Sequence, residues 1–152
     1  MSDAATVIAK PSLTLQRRFA ATPAQVYAAW TDPKKIVQWF GPAETKTDSV
    51  EVIEMDVREG GRFNISFSTQ DGEFHRVSGV YKEVVPDAKL VFSWAWYTMP
   101  ERESQVTLTL KPEGANTLLT LTHEQFFNEA ARDGHRHGWT GTLDKLAAWL
   151  AP

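Results

Sequence analysis

The sequence of 152 residues contains no cysteine. That absence excludes disulfide frameworks, thiol nucleophiles and thiolate metal sites together. A strong charge of either sign is also missing, because 16 basic and 19 acidic residues leave a formal net charge of −3. Such a balance provides no attraction toward nucleic-acid phosphates or anionic lipid. We therefore expect no nucleic-acid partner.

Long apolar runs are absent as well. No stretch is long and apolar enough to predict a membrane span, and the opening MSDAATVIAK has neither the basic start nor the apolar run of a signal peptide. We therefore expect a cytoplasmic protein. Its length fits one domain with a sizeable core, so the predicted organisation is a flexible N-terminal tail over residues 1–10 and a single domain over 11–152. The sequence leaves the oligomeric state open between monomer and homodimer.

The first part of the chain reads as one strand followed by two short helices. Alternation from Leu13 to Phe19 is typical of a half-buried strand near 12–20. Thr22-Pro23-Ala24-Gln25 has the pattern of a capping box with proline at the first helical position. Asp32-Pro33 repeats the cap and the proline, which predicts a second short helix through Trp39.

A period of two follows for roughly 75 residues and predicts six more strands separated by turn residues. Asp71-Gly72 lies between two alternating segments, which is the strongest short signal for a β-hairpin. The predicted strands lie near residues 47–58, 62–70, 73–85, 88–97, 103–112 and 116–124.

After Glu124 the period becomes helical and predicts a closing helix of about 22 residues. Its apolar stripe consists of Trp139, Leu143, Leu146 and Leu150. Three glycines, Gly134, Gly138 and Gly141, each weaken that helix by ~1 kcal/mol relative to alanine. We expect close approach of the helix to the sheet to be the reason for them.

This order of elements admits few topologies, because sequential strands tend to pair and the apolar face of the sheet must be covered. The terminal helix is the only element large enough to cover it. We therefore predict an α+β fold of the helix-grip type, in which a curved seven-stranded antiparallel sheet wraps around the long C-terminal helix. A gap between them at one end would form an apolar cavity lined by aromatic side chains.

Seven motifs spread over nearly the whole chain resemble the START-like or SRPBCC superfamily, and within it the family of homologues of the activator of heat-shock-protein (Hsp) 90 ATPase. The motifs are Arg17-x3-Ala21-x-Pro23-x2-Val26 with Trp30-Thr31-Asp32-Pro33, Trp39-Phe40-Gly41-Pro42, Asp56-x-Arg58-x-Gly60-Gly61, Gly79-x-Tyr81-x-Glu83-x2-Pro86, Leu90-x-Phe92-x-Trp94, Thr120-x-Thr122-His123, and Gly138-Trp139-x3-Leu143-x2-Leu146. The resemblance implies a helix-grip fold. The superfamily includes lipid carriers, cyclases, ring-hydroxylase subunits and co-chaperone domains, so the fold alone does not fix the function.

Aromatic residues at strand and helix spacing are the first candidates for a binding site. Simple core packing is the alternative, and it suits the phenylalanines better than the tryptophans, because each buried indole N–H needs a polar partner. The set that the periods turn mostly toward the interior is Trp39, Phe63, Phe67, Phe92, Trp94, Trp96 and Trp139.

Two polar residues join these candidates. His123 has the inward parity of Leu119 and Leu121, so it would either fix the polar end of a ligand, act as an acid or base, or bond to backbone or to Glu124. Arg17 interrupts an apolar strand face. It would either pair with Glu54, Asp56 or another sheet carboxylate, or hold a carboxylate-bearing ligand. Asp56 and Arg58 are predicted to form a surface pair beside the Gly60-Gly61 turn.

Metal and cofactor sites are not predicted. His135 and His137 are two apart and would point away from each other on a helix, whereas metal-binding pairs use a spacing of three or four. The chain has no Gly-x-Ser-x-Gly elbow and no phosphate-binding glycine loop. We therefore expect no metal, no cofactor and no catalytic nucleophile.

The first hypothesis is a non-enzymatic binding module with an apolar cavity between sheet and C-terminal helix for a small hydrophobic or aromatic ligand. Its predicted ligand-binding residues are Arg17, Trp39, Phe63, Phe67, Trp94, Trp96, His123 and Trp139. An alternative is a co-chaperone-type interaction domain that stimulates a heat-shock chaperone ATPase. A second alternative is a cyclase or hydrolase that uses His123 with Arg17 or Glu124.

Overall fold

A computed structural model describes residues 10–152 of the protein. Apart from Lys10, the predicted tail of residues 1–10 lies outside the described residues. The elements follow one another as β1 (Leu13–Phe19), α1 (Pro23–Thr31), α2 (Pro33–Ile36), a 3-10 helix (Thr47–Ser49), β2 (Glu51–Met55), β3 (Arg62–Ser68), β4 (Phe74–Val85), β5 (Lys89–Trp96), β6 (Ser104–Glu113), β7 (Asn116–Glu124) and α3 (Glu129–Leu150).

The seven strands form one antiparallel sheet in the order β1-β7-β6-β5-β4-β3-β2. Strands β2 to β7 follow one another as a meander, and β1 pairs with β7 from Leu13 opposite His123 to Phe19 opposite Thr117. This confirms the predicted curved seven-stranded sheet with two short helices after the first strand and a long C-terminal helix. None of the helices within residues 10–152 combines the length and the apolar character needed to cross a membrane.

The capping signals specify the helix starts as predicted. The side chain of Thr22 accepts a hydrogen bond from the Gln25 backbone N–H, and the Gln25 side chain accepts one from the Thr22 N–H, which completes a capping box. Asp32 caps α2, but this helix ends at Ile36 rather than near Trp39 as predicted. A turn in which the Phe40 N–H bonds to the Ile36 carbonyl replaces the last part of the predicted helix. This turn buries Trp39 against α1.

Local features curve the sheet. A register shift lies in β2 between Val52 and Glu54, and a second lies in β4, where bulges increase local twist and bend a strand. At Gly79 the neighbouring strand is so close that a Cβ would lie 1.8 Å from the Ser93 carbonyl oxygen. The strand predicted over 47–58 is wrong at both ends, because β2 runs only over Glu51–Met55. The first residues of the predicted strand form the 3-10 helix instead. There the Ser49 hydroxyl accepts a hydrogen bond from the backbone N–H of Ser68 in β3.

Helix α3 covers the concave face of the sheet. The side chain of Asn128 caps its N-terminus by accepting from the Ala131 N–H, and the 22-residue length agrees with the prediction. Its buried residues are Trp139, Thr142, Leu143 and Leu146. They join a core that includes Leu119 and Leu121 of β7. Apolar burial along this seam fixes the helix against the sheet.

The expectation that the three helix glycines approach the sheet is wrong. A Cβ at Gly141 would lie 2.8 Å from the backbone nitrogen of Ala43, which belongs to the segment after α2 and not to the sheet. A Cβ at Gly134 or Gly138 would meet no atom within 4 Å. Only Gly141 is therefore explained by packing, and the other two face open space.

Candidate functional site

A pocket of about 710 Å³ lies between the N-terminal half of α3 and the end of the sheet formed by β3, β4 and β5. Its sheet side and its base are built from large rings, which we call the aromatic wall. The aromatic wall consists of Phe40, Phe67, Trp94, Trp96 and Trp139. Neighbouring rings in it meet at centroid distances of 5.0 to 6.2 Å, for example 5.0 Å between Trp94 and Trp139. Aromatic pairs at these separations attract one another beyond what their buried area contributes.

The helix contributes small side chains to the opposite side of the pocket. Ala131, Gly134, Gly138 and Thr142 line it at spacings of three and four, which places them on one helix face. Because a Cβ at either glycine would meet nothing, the space beside the helix is open. Helix stability is therefore reduced at two positions where the pocket gains room.

His135 holds two tryptophans of the aromatic wall in place. Its Nε2 accepts hydrogen bonds from the indole Nε1 of Trp96 at 3.0 Å and from that of Trp94 at 3.3 Å. Its Nδ1 lies 2.7 Å from the Ala131 carbonyl oxygen, so Nδ1 carries the proton and donates. Burial lowers the pKa of His135, with the Ala131 bond acting in the opposite direction. The imidazole is thus neutral at neutral pH and serves as the shared acceptor for both indoles.

His123 lies one layer deeper, behind the aromatic wall. Its side chain is fully buried, as its inward parity predicted. Nδ1 accepts from the Trp139 indole at 2.9 Å, so Nε2 carries the proton and donates to the Ser104 hydroxyl at 2.7 Å. Burial, and then the nearby His135, lower the pKa of His123 to about 2. Neither ring nitrogen of His123 bonds to Glu124, and His123 does not line the pocket.

The structure separates the predicted ligand-binding residues into two groups. Phe67, Trp94, Trp96 and Trp139 line the pocket. Trp39, Phe63, His123 and Arg17 do not: Trp39 is buried with its indole bonded to the Ala29 carbonyl, and Phe63 packs between Tyr81 and Phe92. Strand parity places the rings of Phe63, Phe67, Trp94 and Trp96 on the inner face, but only the end of the sheet stands away from α3.

Arg17 pairs with a helix carboxylate rather than with the sheet carboxylates expected from the sequence. Its guanidinium lies 2.7 Å from Asp144 of α3, with 30% of the arginine side chain exposed. The contact ties β1 to the C-terminal half of the helix, away from the pocket. The predicted surface pair of Asp56 and Arg58 is confirmed at 2.8 Å.

Charged side chains surround the pocket entrance. Glu44, Asp71 and Glu73 contribute carboxylates, and Arg102 contributes a guanidinium that lies 3.8 Å above the ring of Phe127. Hydrogen bonds from His137 and from Thr69 respectively lower the pKa of Glu44 and of Asp71, so both are ionised at neutral pH. The entrance is therefore net negative.

His135 and His137 point to different partners. His137 bonds to Glu44 at 3.1 Å across the entrance, while His135 faces the tryptophans. Within residues 10–152 no group of three or more histidine, cysteine, aspartate or glutamate side chains is arranged to hold a metal ion.

Sequence reasoning missed His135, Phe40 and the two pocket glycines as site residues. The signal that could have found the two glycines is the helix face Ala131, Gly134, Gly138 and Thr142, where small residues recur at helical spacing beside an aromatic-rich sheet. Small side chains on a face that should cover a sheet indicate room for something else.

Comparison with known families and structures supports the resemblance inferred from the motifs. Residues 20–151 match the family described as "Activator of Hsp90 ATPase homolog 1-like protein". Protein CV1439 from Chromobacterium violaceum is 27% identical, with a TM-score of 0.82 over 93% of this chain and 97% of that one. The AHSA1 protein SPO3351 from Silicibacter pomeroyi is 30% identical, with a TM-score of 0.77 over 92% of this chain and 97% of that one.

CalU16 from Micromonospora echinospora is also similar, at 30% identity and a TM-score of 0.67 over 93% of this chain and 76% of that one. A comparison with curated proteins finds no match. The similarity to solved structures thus extends over nearly the full length of this chain.

Proposed function

The chain belongs to the activator of Hsp90 ATPase homolog 1-like family, and from this premise we propose that it is a non-enzymatic module that binds a small, largely apolar or aromatic molecule. The observation that carries the proposal is the 710 Å³ pocket between the aromatic wall and the glycine-bearing face of α3. A volume in this range is typical of sites for small molecules.

The hydrogen-bonding state of the wall favours an apolar ligand. The indole N–H groups of Trp94 and Trp96 both bond to His135, and that of Trp139 bonds to His123. A ligand group that took one of these donors would have to replace a bond already made. Flat, uncharged compounds that stack on the rings need no such replacement, and the net negative entrance disfavours anions.

The structure lends no support to catalysis by His123. A general acid or base must reach the reacting group within hydrogen-bond distance. Both ring nitrogens of His123 are occupied by Ser104 and Trp139, and the side chain is fully buried. A structural histidine that positions Trp139 accounts for these contacts. A heat-shock chaperone partner stays a prediction of the family resemblance. A cytoplasmic location stays a prediction from the apolar and charge pattern of the sequence.

The test measures binding of 2-isopropenylnaphthalene, a flat and uncharged aromatic probe. Wild-type protein should bind it saturably by calorimetry, and at 100 times the dissociation constant the probe should add ~2.7 kcal/mol to the free energy of unfolding. Gly138→Leu should abolish binding, because its side chain enters the pocket. Thr140→Leu, on an exposed position of the same helix, is the matched control and should bind normally.

Absence of saturable binding to wild-type protein would contradict the proposal. Equal affinities for the Gly138→Leu and Thr140→Leu variants would contradict the assigned location. In the first case a stable complex with the middle domain of a heat-shock chaperone would favour the interaction-domain alternative.

A further inference from the structure

The hydrogen-bond donors of the aromatic wall converge on two histidines. Trp94 and Trp96 are two residues apart on β5, which places both side chains on one face of the sheet. Both of their indole N–H groups donate to Nε2 of His135 on α3, at 3.3 and 3.0 Å respectively. The Trp139 indole donates to His123. All three indole donors of the aromatic wall are therefore bonded within the protein.

Both ring nitrogens of His135 take part in this arrangement. His135 lines the pocket together with the two tryptophans that it bonds. Nε2 of the neutral imidazole is the acceptor that the two indoles share, and Nδ1 donates to the Ala131 carbonyl at 2.7 Å, one helical turn earlier. His135 thus takes up the donors of β5 without presenting a free donor in their place.

The acceptor at position 135 changes what the pocket can bind. Without it, two indole N–H groups would face the space that the imidazole now fills. A ligand oxygen in that space would pair with them, and one such hydrogen bond is worth roughly 2- to 12-fold in affinity. In the wild-type protein the same oxygen meets donors that are already bonded, so the loss of its hydration is not compensated.

We propose that His135 is the specificity-determining residue of the pocket. By accepting from the indoles of Trp94 and Trp96, it makes the aromatic wall select flat ligands whose wall-facing end carries no hydrogen-bond acceptor. The proposal rests on the function proposed above, because it concerns the ligand of the same pocket. It adds an orientation as well as a ligand class: an apolar edge faces the tryptophans, and any polar group of the ligand faces the charged entrance.

The experiment compares 2-isopropenylnaphthalene with 2-acetylnaphthalene, which has nearly the same shape but a carbonyl oxygen in place of the CH₂ group. Calorimetry gives the affinity of each compound for wild-type protein, His135→Ala and His135→Gln. The ratio of ketone affinity to alkene affinity should rise at least roughly 3-fold in His135→Ala, because the freed donors pair with the carbonyl oxygen. Glutamine keeps an acceptor oxygen at a similar reach, so His135→Gln should leave the ratio within about twofold of the wild-type value.

His75→Ala is the matched control. It removes another imidazole of the pocket lining, but Nε2 of His75 lies 3.2 Å from the Thr69 hydroxyl, and its ring stacks on Phe67 at a centroid distance of 5.1 Å. No indole of the aromatic wall loses its acceptor in this variant. Both compounds should therefore weaken by the same factor. An equal rise of the affinity ratio in His75→Ala and His135→Ala would overturn the assignment, because enlargement of the pocket would then explain both.

A second measurement uses the wild-type protein and does not depend on the folding of any variant. In ¹⁵N-labelled protein, a coupling across the hydrogen bond should join Nε1 of Trp96 to Nε2 of His135, which is the shorter of the two bonds. This coupling should persist at saturation with either compound. Its loss on binding of the ketone would overturn the proposal, because the ligand would then have replaced His135 as the acceptor.

The remaining outcomes separate this proposal from the proposed function. Saturable binding of both compounds, with one affinity ratio shared by wild-type protein, His135→Ala and His135→Gln, would overturn the specificity role and leave the proposed function standing. A rise in His135→Gln as large as that in His135→Ala would do the same, because glutamine retains an acceptor. Failure of both compounds to bind wild-type protein would overturn the two together.

Discussion

Replacing each of the three glycines of α3 by alanine tests whether the pocket is open on the helix side. All three lie inside the helix Glu129–Leu150, so each substitution gains the same intrinsic helix propensity, ~0.8 to 1.0 kcal/mol. At Gly134 and Gly138 a Cβ meets no atom within 4 Å, so nothing opposes that gain. The free energy of unfolding of each of these two variants should therefore rise by about 1 kcal/mol. That gain raises Tm by about 2 to 4 °C in a domain of this size.

Gly141→Ala is the matched control in the same helix. Its Cβ would lie 2.8 Å from the Ala43 nitrogen and 3.1 Å from the Ala43 Cβ, so backbone must move. Overpacking of this kind costs about 1 to 3 kcal/mol, which exceeds the propensity gain over most of that range. We expect Gly141→Ala to be less stable than wild type by about 1 kcal/mol.

The free energy of unfolding from urea titrations monitored by circular dichroism decides between these outcomes. If all three variants gain stability equally, then propensity alone governs the helix and the contact with Ala43 is not tight. If Gly138→Ala loses stability as Gly141→Ala does, the pocket face of α3 is packed, and the assigned site is wrong. Opposite signs for Gly138 and Gly141 would show that room for a ligand is kept at the expense of helix stability.

Three further outcomes follow from individual contacts. Because burial lowers the pKa of His123 to about 2 from an ordinary 6.5, the unfolded chain binds a proton that the folded chain does not. Its contribution to stability is complete above about pH 6.5 and falls by ~2 kcal/mol by about pH 5, and His123→Gln should show a correspondingly flatter dependence of urea stability on pH. Leu146→Ala should cost ~2 to 5 kcal/mol by urea unfolding, because Leu146 is fully buried against the sheet; a loss below ~1 kcal/mol would contradict the packing. A double-mutant cycle of Arg17→Met and Asp144→Asn should give a coupling of at most ~1 kcal/mol, because the Asp144 side chain is 62% exposed, and the affinity for 2-isopropenylnaphthalene should not change.

Local sequence signals specified most of the secondary structure. The capping box at Thr22, the Asp71-Gly72 hairpin and the alternation in β7 are all decided by contacts within a few residues, so they can be predicted from the chain alone. Parity also placed His123 inward correctly, since alternate residues of a strand face opposite sides. The strand predicted from residue 47 was wrong at its start because the Ser49 hydroxyl, a tertiary contact with β3, replaces backbone pairing there.

The division of the aromatic residues into core and pocket could not be predicted from the sequence. Parity gives the face of the sheet on which a ring lies, but not the distance from that face to the helix. Phe63 and Phe67 lie on the same face of one strand, yet only Phe67 borders the pocket, because it is nearer the end where the sheet stands away from α3. The hydrogen bonds that join the tryptophans to His123 and His135 depend on the same separation.

The sequence by itself therefore determined the elements, their order and the family, because those depend on periodicity, caps and turns that act over short distances. Only the tertiary structure decided that Gly134 and Gly138 face open space, that Arg17 pairs with Asp144, and that the Trp30 indole is left without a partner. Each of these depends on where two distant parts of the chain come to lie. The twist and curvature of the sheet around the helix contribute to that distance, and local sequence patterns do not encode it.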